Sequence, residues 1–160
     1  MSKPLSTLQA LLLATILVAI SPIILLWLVL YLLAGVLLHI AIWCVWCTRG
    51  HDVLLVYSNS PIWQAYFEEQ LLPRLGRRAI ILNWSQRRLW HHTLAVAAFR
   101  FFGGNREFNP LAIVFRPFRL ARSFRYYKPF CELKHGKPEA VDELTDQLFA
   151  LLDGQRVPTT

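Results

Sequence analysis

From Leu8 to Cys47 the chain contains no Lys, Arg, Asp or Glu. Apart from Tyr31, Cys44 and Cys47, its only titratable side chain there is His39. About 20 apolar residues cross a bilayer core of about 30 Å as a helix, and this run is about twice as long. Its length excludes a buried core helix, because a chain of 160 residues makes one ordinary domain and cannot wrap such a rod. It also exceeds the roughly 7–15 apolar residues of a secretory signal. Cysteine is scarce: three in all, two of them at the end of the apolar run. That excludes a disulfide framework and suits a reducing compartment. Neither G-x-G-x-x-G nor G-x-x-x-x-G-K occurs, which removes the common phosphate-cradling signatures. Acid is scarce in the middle of the chain, where Arg74 to Lys128 holds twelve basic residues and one acid, Glu107. From Pro129 onward the balance reverses, with three bases against six acids.

The apolar run has one internal break, Ser21-Pro22, since proline removes a helical hydrogen bond. Two geometries follow. Residues 8–20 and 23–47 could form a hairpin or re-entrant pair, or residues 23–47 could span alone with 8–20 at the interface. The hairpin uses the whole apolar run and is the expectation favoured here. Trp43 and Trp46 followed by Arg49 and His51 form an interfacial pattern. Arg49, Arg74, Arg77 and Arg78 lie beyond it, so the positive-inside tendency puts the C-terminal part in the cytoplasm. The expected division is a membrane segment over 1–50, a basic α/β domain over 51–153 and a disordered tail over 154–160.

Beyond the apolar run, strand and helix signals alternate. DVLLVY at 52–57 reads as a strand buried on both faces. Ser60 and Pro61 suit the N-cap and first position of a helix over 62–75, with Gly76 closing it. RAIILN at 78–83 reads as a second buried strand. A helix follows from Ser85 to about Phe102, stopped by Gly103-Gly104. LAIVF at 111–115 and SFRYY at 123–127 read as a third and a fourth strand, the last at an edge. An amphipathic helix over 139–152 ends the domain, with Val141, Leu144, Leu148 and Leu151 on one stripe. The order predicts an α/β fold with a small, mostly parallel sheet flanked by helices.

Residues 52–76, DVLLVYSNSPIWQAYFEEQLLPRLG, resemble the opening of Toll/interleukin-receptor (TIR) domains. Asp52, Tyr57, Ser58, Trp63, Leu71, Leu72 and Leu75 carry the resemblance. It implies a flavodoxin-like or TIR-like sheet. No residue of this chain matches the glutamate of the NAD-cleaving members, so that activity is not implied.

Two candidate sites emerge. Ser58, Asn59 and Ser60 stand at the carboxyl end of the first strand, where open parallel sheets bind ligands and a helix start favours anions. Arg116, Arg119, Arg122, Arg125 and Lys128 recur every third residue among aromatics, a candidate surface for anionic lipid headgroups. Such charge would also suit nucleic acid, but a membrane tether disfavours that partner. Glu68-Glu69 and His91-His92 are adjacent pairs that diverge by about 100° on a helix. Cys44 and Cys47 are spaced CxxC without a second pair. No metal and no cofactor is implied. The expectation is an integral membrane protein with a non-catalytic module that binds anionic lipid or a protein partner. The alternative is a membrane-surface enzyme acting on a nucleotide, phosphosugar or lipid-linked substrate at the Ser58-to-Pro61 edge. An enzyme should gather Ser58, Asn59, an acid such as Asp52 or Glu68, and an arginine around one pocket. A module should leave its arginines on an outward face.

Overall fold

A computed structural model of the chain describes residues 7–104 and 110–154. It contains two compact units, Met1–Leu37 and Leu38–Thr160. The first is helical. Helix α1 runs unbroken from Thr7 to Val45, 39 residues with Pro22 inside it. The hairpin expected at Ser21-Pro22 is therefore not formed. Pro22 cannot donate to the carbonyl four residues back, that of Val18. The Ser21 hydroxyl donates to it instead, at 3.0 Å. Serine side chains of this kind let proline persist in apolar helices. Every side chain from Thr15 to Ala34 is exposed. The helix is long and apolar enough to cross a membrane. From residue 155 on, the tail expected to be disordered lies outside the described residues.

The second unit begins inside the helix. A 3-10 turn, Cys47–Arg49, and Gly50 in a left-handed conformation lead into strand β1, Val53–Tyr57. A short helical stretch follows: α2, Gln64–Tyr66, a π turn, Phe67–Leu71, and α3, Leu72–Leu75. The π turn precedes Pro73, whose ring clashes with the normal carbonyl position four residues earlier; the wider turn accommodates it. Strand β2 is Ala79–Asn83, helix α4 Leu94–Phe102, strand β3 Leu111–Val114 and strand β4 Arg122–Arg125. Helices α5, Tyr127–Lys134, and α6, Glu139–Leu152, close the unit.

The sheet order is β2-β1-β3-β4. β1 and β2 are parallel, but β3 is antiparallel to β1, and β4 to β3. The sheet is thus mixed, which corrects the expectation of a mostly parallel one. An apolar run such as LAIVF reports burial, not direction. Direction is set by the connection: the chain leaves β2 at the edge where β1 also ends, and enters β3 at that same edge. Two local expectations also change. The helix expected from Ser85 is a 3-10 turn, Trp84–Leu89, and then α4, whose N-cap is Thr93. β2 is an edge strand with Ile81 46% exposed, not a fully buried one.

Alternate residues of β1 serve two cores. Val53, Leu55 and Tyr57 pack with Phe67, Leu71, Phe130 and Leu148 on one face. Leu54 and Val56 pack with Ile113, Phe115, Phe99 and two residues of the α1 end, Ile42 and Trp46. Ile42 is fully buried and Trp46 nearly so. Burial of one such aliphatic side chain contributes about 1.5–3 kcal/mol, a large part of a domain's net 5–15 kcal/mol or so. A domain boundary at residue 51 therefore cuts through a core. A fragment starting at His51 should lack a cooperative urea transition, whereas one starting at Leu38 should show it. Equal behaviour of the two would mean that the last turns of α1 do not support the sheet.

Candidate functional site

The register brings four strand ends to one edge. β1 and β2 both begin there, with Val53 opposite Ala79. β3 ends there, with Val114 opposite Val53, and β4 begins there, with Arg122 opposite Val114. The chain just outside these ends carries Arg49, Arg77, Arg78, Arg116 and Arg119, and Arg122 opens β4. This amino edge is also where α1 joins the domain. His39 accepts a hydrogen bond at Nε2 from the Ala121 amide at 3.1 Å, and its ring meets Phe102 edge-on at 4.5 Å.

Two of these arginines hold the structure together. Arg78 donates to both carboxylate oxygens of Asp52, through Nε at 2.9 Å and through Nη2, and to the Leu152 carbonyl. The Asp52 hydrogen bond holds its pKa above the ordinary arginine value. Arg116 donates to the Leu151 carbonyl at 3.0 Å. Both cap the end of α6, whose last carbonyls have no intrahelical partner and whose dipole favours a cation. Arg49, Arg77, Arg119 and Arg122 are exposed.

The run of basic residues at every third position is therefore divided. Arg116, Arg119 and Arg122 lie at the amino edge. Arg125, at the other end of β4, pairs with Leu111 at the carboxyl edge, and Lys128 follows in the first turn of α5.

At the carboxyl edge, Ser58, Asn59 and Ser60 are occupied by internal bonds. Ser58 Oγ accepts from the Trp63 indole at 3.1 Å. The Asn59 amide donates to Ser85 Oγ at 3.0 Å, and Asn59 Oδ1 accepts from Asn83 at 2.6 Å. The Ser60 carbonyl accepts from the amides of Trp63 and Gln64. Its side chain makes no cap, and the helix there starts only at Gln64. Asp52 belongs to the opposite edge, and Glu68 accepts from Tyr57 at 3.2 Å and Gln64 at 3.1 Å. Among the described residues, Asp52 is not at one edge with Ser58 and Asn59. Nor is any group of three or more His, Cys, Asp or Glu placed to hold a metal there.

One polar cluster escaped the sequence reading. Thr145 of α6 meets the Tyr66 hydroxyl at 2.7 Å and the Tyr126 hydroxyl at 3.3 Å. Tyr66, Thr145, Gln70, Arg74, Asp142 and Asp146 line a cleft of about 220 Å³. Hydroxyl pairs across 79 and 19 residues have no periodic signal in sequence. No protein-family model, curated protein or solved structure matches this chain.

Burial pushes the Tyr126 hydroxyl well above the usual tyrosine value. A phenol with a raised folded pKa holds its proton more tightly in the folded state. Its contribution to stability is complete below the unfolded value of about 10 and is lost as pH rises from there toward the folded pKa. Urea stability should therefore fall as pH climbs past about 10, and Tyr126→Phe should lessen that fall. An identical fall in Tyr126→Phe would show that the hydroxyl does not carry this linkage.

Proposed function

We propose that this chain is a single-pass, membrane-anchored α/β module. Its amino edge rests on anionic lipid headgroups at the cytoplasmic surface, and it has no catalytic centre of its own. The observation that carries this reading is the gathering of Arg49, Arg77, Arg119 and Arg122 at the edge where α1 enters the domain. Exposed cations beside a membrane anchor meet the negative potential of the cytoplasmic leaflet, at about 1 kcal/mol per residue near the surface. The positive-inside tendency gives the same sidedness.

The enzymatic alternative has less support. It needs Ser58 and Asn59 turned to a ligand, and their side chains instead accept from Trp63 and Asn83 while the Asn59 amide donates to Ser85. The TIR likeness of residues 52–76 is a likeness of local layout, strand, loop and helix, and no activity is attached to it.

The Leu38–Thr160 fragment should bind vesicles containing acidic lipid and ignore neutral ones. Binding should weaken with salt, because exposed charges are screened beyond about 8 Å at physiological ionic strength. Changing Arg49, Arg77, Arg119 and Arg122 to Gln should remove about 4 kcal/mol, roughly a thousandfold in affinity, at about 1 kcal/mol each. Changing Arg125 and Lys128 to Gln should do far less, since they stand at the other edge. Binding that survives the quadruple change, or that is equal on neutral vesicles, would refute the headgroup reading.

A further inference from the structure

We propose that the β3–β4 loop, residues 115–121, is a wedge that inserts into the bilayer next to the anchor. The inference rests on the headgroup reading and extends it from contact to insertion. Four observations on this loop converge. Phe118 is 90% exposed and Leu120 is 86% exposed, so two large apolar side chains stand in solvent within three positions. The exposed Arg119 and Arg122 alternate with them, the pattern of a segment whose apolar groups enter the acyl boundary while its cations stay with phosphate. Phe118 has φ of 59°, a left-handed conformation that is unfavourable for an aromatic residue. Its ring centroid lies 5.5 Å from that of Trp43, whose indole N–H is buried with no acceptor among the described residues.

The first two observations point to an occupant. Two large apolar side chains held in water are unfavourable, and insertion gives both an apolar surrounding while Arg119 and Arg122 stay with phosphate. Trp43, beside the loop, is a residue type favoured at the interface. The loop is held in place for this. The Ala121 amide is bonded to His39 of α1. The membrane concerned is therefore the one that holds α1.

Composition alone does not select this loop. The turn Trp84–Leu89 also presents arginines beside an apolar residue, with Leu89 74% exposed. It follows the end of β2, at the carboxyl edge, and serves as the internal control.

The test uses the full chain in bilayers, with Cys44, Cys47 and Cys131 changed to Ala and a nitroxide attached through Phe118→Cys, Leu120→Cys or Leu89→Cys. The labels at 118 and 120 should be shielded severalfold from a water-soluble relaxation agent and accessible to oxygen. The label at 89 should behave as in water. Phe118→Gly should leave the urea midpoint unchanged or raise it, because glycine accepts the left-handed conformation, yet it should return the label at 120 to water. Labels at 118 and 120 as water-accessible as that at 89 would overturn the wedge, even where the arginine changes abolish vesicle binding. Shielding that persists in purely neutral lipid, with Arg119 and Arg122 changed to Gln, would support the wedge while the headgroup reading fails.

Discussion

The burial of Ile42 and Trp46 beneath β1 and β3 is the constraint on which the rest depends. One face of the central strand is completed by side chains of a helix that is apolar and exposed for most of its length. The helix is thus long and apolar enough to cross a membrane along one part and a core element along another. Thr48 tightens the joint between the helix end and the sheet, its hydroxyl donating to the Cys44 carbonyl at 2.7 Å in the last turn.

Charge is distributed in step with that joint. The amino edge collects arginines because the mixed topology puts three strand starts, one strand end and one tight connection on it. With β3 parallel, Arg116 and Arg119 would have left the sheet at the opposite edge, away from Arg49 and Arg77. The antiparallel β3 is therefore what brings Arg116 and Arg119 to the edge that carries Arg49 and Arg77. Arg78 and Arg116 tie α6 to that edge through the carbonyls of Leu152 and Leu151.

Much of this was legible in the sequence, for identifiable reasons. The apolar stretch, the strand at 53–57 and the helix at 139–152 follow from composition and periodicity, which local burial imposes directly. Pro22 misled, because the rescue of Val18 by Ser21 is a single side-chain bond that a proline rule does not weigh. The direction of β3 was not legible, because LAIVF reads the same either way. Equal spacing of the arginines suggested one face, but they run through a loop and then a strand, so Arg125 ends at the far edge from Arg119. Ser60-Pro61 reads as a helix start, yet the Trp63 indole is drawn to Ser58 and the helix opens later. The Trp43, His39 and Phe118 cluster joins residues about 80 positions apart and has no local signature.

The account stands most directly on whether a residue of the apolar helix α1 stabilises the sheet. Ile42 is fully buried, whereas Ile40, on the same helix, is 46% exposed. The measurement is the urea unfolding of the full chain in bilayers, followed by tryptophan fluorescence, for Ile42→Ala and Ile40→Ala. The account predicts a loss of about 2–5 kcal/mol for Ile42→Ala, the range for a buried large-to-small change, and little change for Ile40→Ala. Equal, negligible effects from both would contradict it, because Ile42 would then be a lipid-facing residue and the helix only a tether.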